Sequence, residues 1–110
     1  MKIEKGDVVV LPFPFVNSHV FKMRPAVVVS SRDYERAMNS VIVTMVTSTA
    51  YDTVYDYKIK DWQEANLNMV SWLRIKLITF DIKSVRAKIG RLSMRDLAET
   101  ENKIQLALGI

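Results

Sequence analysis

The stretch MRPAVVVSS places Arg24 directly before Pro25 and the apolar run 26–29. Proline has no N–H to donate, so it suits the first residue of a strand, and it favours an extended conformation at the residue before it. A second apolar run, VIVTMV, is followed by the hydroxyl side chains of Thr47, Ser48 and Thr49. A guanidinium fork with hydroxyls nearby is a set that binds phosphate oxygens. These residues therefore predict a phosphate-binding set, with Arg24 at the start of one buried strand and the hydroxyls at the end of another.

Other common chemistries lack the residues that they need. His19 is the single histidine and there is no cysteine, which excludes two-histidine acid–base catalysis within one chain, multi-histidine or thiolate metal sites, and disulfides. The acidic residues are scattered, with no spacing that suggests a carboxylate cage. The three glycines are isolated, so no glycine-rich phosphate loop is present, and there is no G-x-S-x-G motif. We expect neither a metal nor a cofactor.

The positive charge is unevenly distributed along the chain. The formal net charge is +4, from 16 basic and 12 acidic residues. One stretch contains a single acid, Asp81, and these basic residues: Arg74, Lys76, Lys83, Arg86, Lys88, Arg91 and Arg95. Such a block favours a polyanionic partner, either a nucleic acid or an acidic protein. The alternative is a solvated strand face that leads into a helix.

The elements that must position these residues are mostly strands. A length of 110 residues predicts one domain, 1–110. Apolar runs and a period-two alternation predict strands within 3–15 and at 26–30, 41–46, 51–60 and 71–80. The pattern further predicts a short helix over 31–39 capped by Ser31, a helical turn at 61–66, a turn at Gly90, and a C-terminal helix that begins at Ser93. We expect a mostly antiparallel β domain, closed or nearly so, with the C-terminal helix packed on it.

The location follows from what the sequence lacks. The first residues, MKIEKGDVVV, show no signal-peptide pattern, and no stretch approaches the roughly 18–20 apolar residues of a membrane span. We therefore expect a cytoplasmic protein with no membrane partner.

Five segments together resemble one known family. They are GDVVVLPFPF, RPAVVVS, VIVTMVTST, SWLRIKLITFD and KIGRLSMRDL, which occur in this order between Gly6 and Leu97. In combination they are similar to the PemK/MazF family of toxin endoribonucleases. The resemblance implies a small SH3-like β-barrel of the MazF/CcdB toxin type with a C-terminal helix, assembled as a homodimer. It also implies metal-independent cleavage of single-stranded RNA at short sequences, by attack of the ribose 2′-OH on the adjacent phosphate. A cognate acidic antitoxin, whose disordered tail covers the RNA groove, would hold the enzyme inactive.

The resemblance also assigns roles to individual residues. Arg24 matches the catalytic arginine of the family, and Thr47 matches its active-site threonine. His19, Ser48, Arg74 and Lys76 are the further candidates for RNA binding. Lys76 stands where some members of the family carry an aspartate, two residues after the strand arginine.

Two other readings stay open from the sequence. The CcdB gyrase poisons share this fold family and act by protein binding through a C-terminal Trp-Gly-Ile, whereas this chain ends Leu108-Gly109-Ile110. The chain is alternatively a degenerate family member that retains only RNA binding or protein docking.

Overall fold

The chain folds as one antiparallel sheet followed by a C-terminal helix. The computed structural model describes residues 1–14 and 21–110. Its elements are β1 (Asp7–Pro14), β2 (Phe21–Val28), α1 (Arg32–Met38), β3 (Ser40–Thr47), β4 (Asp56–Lys58), β5 (Trp72–Asp81), a 3₁₀ turn (Ile82–Ser84), β6 (Ala87–Arg91) and α2 (Met94–Leu108). The prediction of a mostly β domain with a C-terminal helix is confirmed. No helix in these described residues is long and apolar enough to cross a membrane.

The strands are arranged in the order β4-β5-β3-β2-β1-β6. Every neighbouring pair is antiparallel. β4 and β6 are the two edges, and they do not pair with each other at any residue of the described ranges. The fold therefore has the strand content and helix placement of the predicted barrel-like toxin domain, but its hydrogen-bonded sheet is not closed.

The central strands are apolar on both faces because each face is covered by a separate core. Along β1, Val9, Leu11 and Phe13 belong to one core and Val8 to the other. On β2, Val28 belongs to the first of these cores and Val27 to the second. This two-sided burial explains why these strands read as continuous apolar runs.

Three elements differ from the sequence-based expectation. The strand predicted at 26–30 is β2, which begins earlier, at Phe21, and ends at Val28. Only 56–58 of the predicted strand 51–60 forms a strand, because the Asp56 carboxylate accepts hydrogen bonds from the Thr53 amide (2.9 Å) and hydroxyl (2.5 Å) and folds the preceding residues into a turn. Gly90 lies within β6 and not in a turn. A Cβ atom at Gly90 would lie 2.1 Å from the carbonyl oxygen of Ala65, so glycine is required there for a close approach of two backbone segments.

Serine caps begin both helices as predicted. The Ser31 hydroxyl accepts the Tyr34 amide at 3.1 Å, and the Ser93 hydroxyl accepts the Asp96 amide at 3.3 Å. The Asp96 carboxylate is fully buried and serves a different purpose from a capping box.

Asp96 attaches α2 to the segment that follows β4. Its carboxylate accepts the Tyr57 hydroxyl (2.5 Å) and the amides of Lys60 (3.1 Å) and Asp61 (2.8 Å). Burial, together with the hydrogen bond and negative charge of Asp96, raises the pKa of Tyr57. The phenol therefore stays protonated and can keep donating this bond.

Candidate active site

The candidate site lies where two neighbouring strands separate. β2 and β3 pair only between Ala26–Val28 and Val43–Met45 within the described residues. Past the Ala26–Met45 pair, the two strands have different partners. Residues 21–25 of β2 pair only with β1, and residues 46–47 of β3 pair only with β5. Extending the β2–β3 register by two residues would set Arg24 opposite Thr47. The end of this pairing therefore leaves space between the two candidate residues.

This space is a groove of about 480 Å³, which we call the arginine groove. It contains three of the predicted site residues, Arg24, Thr47 and Ser48. Its other lining residues are Val10, Met23, Pro25, Val46, Asn66, Leu67, Asn68, Met69, Ser71 and Ile89. The structure thus places side chains from two strands, distant in sequence, on one concave surface.

Arg24 is the one charged residue among the described residues that line the groove. It is half-buried, and its strand partner Leu11 and the nearby Ala26 are fully buried. Such packing holds the backbone of Arg24 in place. A cation on a concave surface that has no acidic lining residue attracts anions, so the groove suits a phosphate group.

Thr47 lies at the last position of β3 with its hydroxyl oriented by the turn that follows. Its Oγ1 accepts a hydrogen bond from the Thr49 amide at 3.1 Å. The hydroxyl proton remains available for donation to a ligand oxygen, because a threonine hydroxyl both donates and accepts. Ser48 is exposed at the same rim.

One wall of the groove was not predicted from the sequence. It comes from the segment 66–71, in which Asn66 adopts a left-handed conformation (φ 60°) and donates from Nδ2 to the Ile89 carbonyl at 2.8 Å. Asn68 and Met69 continue this wall. The available signal was the NLNM sequence after a predicted helical turn, since asparagine tolerates the left-handed region and its amide can donate and accept hydrogen bonds.

The structure does not bring Arg74 and Lys76 into the arginine groove. Both line a separate groove of about 550 Å³ that includes Thr53, Tyr55, Asp56, Ile75 and Ala107, which we call the Arg74 groove. Arg74 Nε lies 3.2 Å from Asp56 Oδ1, and the guanidinium carbon lies 3.6 Å from the centre of the Tyr51 ring. The carboxylate that faces this arginine therefore comes from the neighbouring strand, not from position 76. His19, the remaining candidate, lies outside the described residues.

The charge state of Asp56 follows from the same contacts. Burial alone would raise the pKa of this carboxyl, but the hydrogen bonds from Thr53 and the positive charge of Arg74 together lower the pKa below its ordinary value. Asp56 is therefore ionised at neutral pH and neutralises Arg74.

Four of the seven basic residues in the block at 74–95 take part in ion pairs. Besides Arg74, three of its members lie close to a carboxylate oxygen: Lys88 at 3.2 Å and Arg91 at 2.9 Å from the fully buried Asp7, and Arg95 at 2.6 Å from Asp61. Lys76, Lys83 and Arg86 make no ion pair with any residue in the described part of the chain. The number of basic residues in this block therefore overstates its attraction for a polyanion.

Comparison with solved structures identifies the same fold. MazF from Deinococcus radiodurans shares 23% sequence identity, with a TM-score of 0.80 over 100% of this chain and 99% of that one. A mycobacterial endoribonuclease in complex with its cognate antitoxin shares 13% identity, with a TM-score of 0.80 over 99% and 97% of the two chains. A MazE–MazF complex from Deinococcus radiodurans shares 23% identity, with a TM-score of 0.79 over 98% and 97%. At these identities the likeness concerns the fold.

Sequence comparison decides the family. No curated protein sequence matches the chain significantly. The sequence pattern of the PemK-like, MazF-like toxins of type II toxin–antitoxin systems, in contrast, matches residues 4–108. This range contains all six strands and the C-terminal helix. The chain therefore belongs to the PemK-like, MazF-like family of type II toxin–antitoxin toxins.

Proposed function

We propose that the protein is a metal-independent endoribonuclease toxin that cleaves single-stranded RNA at selected sequences and is neutralised by a cognate acidic antitoxin. The observation that carries this proposal is the meeting of Arg24 and Thr47 in one groove whose described lining contains no acidic residue. Family membership and the endoribonucleases among proteins of the same fold support it. One histidine and no cysteine exclude a catalytic metal site built from several nitrogen or sulfur ligands of this chain.

In this proposal the groove binds the scissile phosphate. The 2′ oxygen of the preceding ribose bonds to phosphorus as its hydroxyl loses a proton. The bond from phosphorus to the 5′ oxygen breaks, and that oxygen takes up a proton. The products are a 2′,3′-cyclic phosphate and a 5′-hydroxyl end, so the nucleophile comes from the substrate.

Arg24 and Thr47 act on the charge that develops during this step. The planar guanidinium presents two N–H donors to two phosphate oxygens. The Thr47 hydroxyl donates a further hydrogen bond to a phosphate oxygen. Donors already oriented toward a developing oxyanion contribute roughly 10²–10³ each to the rate. Their value depends on being held in place, which the paired strands on either side provide.

Residues around this centre would supply binding and selectivity. Asn68, at the wall of the arginine groove, has an amide that can donate to and accept from a base edge. We place Ser48 at the rim, and Arg74 and Lys76 in their own groove, as contacts to more distant phosphates. His19 is proposed as a contact near the scissile bond. We further propose that the active unit is a homodimer in the cytoplasm.

The first test is cleavage of a long RNA transcript in excess EDTA, with the ends of the products analysed. We expect cleavage to persist, to leave a 2′,3′-cyclic phosphate, and to stop at a site where the ribose carries a 2′-O-methyl group. Loss of cleavage in chelator, or cleavage of the methylated site, would show that the mechanism is different. Absence of cleavage by the folded protein on any RNA would leave the non-catalytic binding alternative.

A second test concerns the antitoxin. A peptide from the acidic partner should compete with a non-cleavable RNA for the arginine groove, because both place negative charge near Arg24. A disordered tail can cover such a surface at moderate affinity per unit area. Tight peptide binding that leaves RNA cleavage unchanged would refute shared occupancy.

A further inference from the structure

A third groove lies beside the arginine groove and combines lysine with tryptophan. It has a volume of about 440 Å³ and is lined by Lys58, Ile59, Lys60, Trp62, Val70 and Arg95. We call it the lysine–tryptophan groove. Of its residues, only Arg95, a member of the basic block at 74–95, was singled out from the sequence.

Strand register connects this groove to Thr47. Thr47 on β3 is the direct partner of Trp72 on β5, and Trp72 is the direct partner of Lys58 on β4. Direct partners on antiparallel strands carry their side chains on the same face. Two strand spacings separate Thr47 from Lys58, a distance of about 10 Å. The Lys58 ammonium lies 5.8 Å from the centre of the Trp72 ring, which places the cation and the aromatic surface together.

A single short segment separates the two grooves. Met69 and Ser71 line the arginine groove, whereas Val70 between them lines the lysine–tryptophan groove. The Ile59 amide donates to the Ser71 carbonyl at 3.0 Å, which anchors this segment to the residue after Lys58. An RNA strand that leaves the arginine groove across the segment 69–71 would enter the lysine–tryptophan groove directly.

The charges of the second groove suit a phosphate backbone. Arg95 is bound by Asp61 through two contacts of 2.6 and 2.7 Å. Lys58 and Lys60 are exposed and make no ion pair with any acid in residues 1–14 and 21–110. The half-buried Trp62 ring adds a surface on which a base can stack. Lysines without an ion pair beside an aromatic ring favour a nucleotide, because its phosphate can contact the lysines and its base can stack on the ring. An acidic peptide would use only the lysines.

We propose that the lysine–tryptophan groove is a subsite for the RNA nucleotides that flank the cleaved bond on one side. Lys58 and Lys60 contact the phosphates, and Trp62 stacks on a base. This inference rests on the proposed ribonuclease function and adds the direction in which the substrate leaves the site, from Arg24 across Thr47 and Trp72 toward β4.

The test uses RNA of increasing length around a cut site mapped on a long transcript. A short core oligonucleotide is extended separately at its 5′ and 3′ ends, and a 2′-O-methyl group at the cut site allows affinity to be measured without cleavage. We expect extension on one side to tighten binding to the wild-type protein roughly tenfold. The variant K58A/K60A should lose this gain. The slope of log K for binding against log salt concentration should become shallower by about 1.4, or about 0.7 for each lysine. Cleavage of the unmodified core should be unchanged.

The control is K83A/R86A, which also removes two exposed cations that lack an ion pair in the described structure. These residues follow β5 at the end opposite Trp72, about 30 Å along the strand, and the control should keep the gain from extension. Fluorescence gives an independent measurement, because Trp62 lines this groove and Trp72, the other tryptophan of the sequence, lies 5.8 Å from the Lys58 ammonium. The extended RNA should quench the emission more than the core does, and W62F should preserve the gain that W62L loses.

The outcomes separate this inference from the function on which it rests. If the core is cleaved but extension brings no gain, or K58A/K60A keeps the gain, the subsite is wrong while the ribonuclease stands. If K58A/K60A loses binding of an acidic antitoxin peptide and keeps the full RNA gain, the groove is a protein-binding site and the inference is overturned. If the folded wild-type protein cleaves no RNA, both proposals fail.

Discussion

Arg74 Nε lies 3.2 Å from Oδ1 of Asp56, its direct partner on the neighbouring strand, in a pair whose carboxylate is almost entirely shielded from solvent. The Tyr51 ring covers the guanidinium from one side. An arginine held in this way stabilises the edge of the sheet at β4. This arrangement separates Arg74 from Arg24, which the sequence resemblance had placed in the same functional set.

Asp56→Ala should destabilise the fold by about 2–4 kcal/mol, because it leaves the Arg74 charge without its partner and removes the acceptor of two Thr53 hydrogen bonds. Chemical denaturation measures this change. Asp52→Ala is the matched control, since Asp52 is an exposed acid of the same loop, and it should change stability by less than about 0.5 kcal/mol. Equal effects of the two substitutions would show that the Asp56–Arg74 pair contributes nothing particular.

Arg24→Lys should lower the cleavage rate by about 10²–10³ although the positive charge is kept, because lysine presents a point charge in place of a planar fork. Thr47→Val should also lower the rate, since it keeps the branched shape and removes only the hydroxyl. Single-turnover cleavage measures both effects. Arg36→Lys, on the exposed end of α1, should leave the rate unchanged, and circular dichroism should show that all three variants fold. A folded R24K protein with the wild-type rate would disprove the role given to Arg24.

Asp61 makes the stability of the protein sensitive to acid. Hydrogen bonds from Arg95 and Ser93, with the positive charge of Arg95, lower the pKa of Asp61 from 3.8 to about 2. A carboxyl whose pKa is lowered by folding stabilises the native state above its ordinary pKa, and this contribution is lost as the pH falls through the folded value. Asp61→Asn should therefore reduce the fall in melting temperature between about pH 4 and pH 2. A variant with the same acid dependence as the wild type would show that the loss arises elsewhere.

Gly90→Ala should destabilise the protein by about 1–3 kcal/mol or more, because the new Cβ atom would lie 2.1 Å from the Ala65 carbonyl oxygen and a backbone must move. The movement would displace the wall of the arginine groove, since Asn66 and Ile89 are neighbours of the two residues in contact. Activity should fall with stability. Gly109→Ala, at the left-handed cap of α2 with open space around it, should cost only about 1 kcal/mol and leave activity unchanged.

A homodimer is expected, and light scattering at micromolar concentration should give about twice the 12.7 kDa chain mass. The exposed apolar side chains at the end of α2, Leu106, Leu108 and Ile110, are suited to such a contact. Leu106→Glu should shift the mass toward the monomer if this surface forms the interface. A wild-type protein that runs as a clean monomer would contradict the expectation.

Local features of this fold were predictable because they depend on neighbours along the chain. The serine caps at Ser31 and Ser93 act on amides three residues away. The apolar runs of β1, β2 and β3 reflect burial on both faces of these strands. Arg24 before Pro25 and the hydroxyls after β3 were recognisable as phosphate-binding types before their positions were known.

The sequence by itself determined the apolar strands β1, β3 and β5, the caps and the chemical types at the site, since short-range sterics, periodicity and residue chemistry act within a few residues. The tertiary structure decided what those residues meet. Separation of β2 from β3 opens the arginine groove. Asp7 forms ion pairs with Lys88 and Arg91 and so offsets part of the positive charge counted in the basic block at 74–95. Such relationships join residues that are distant in sequence, and their distances are set by strand register and packing, which no local pattern encodes.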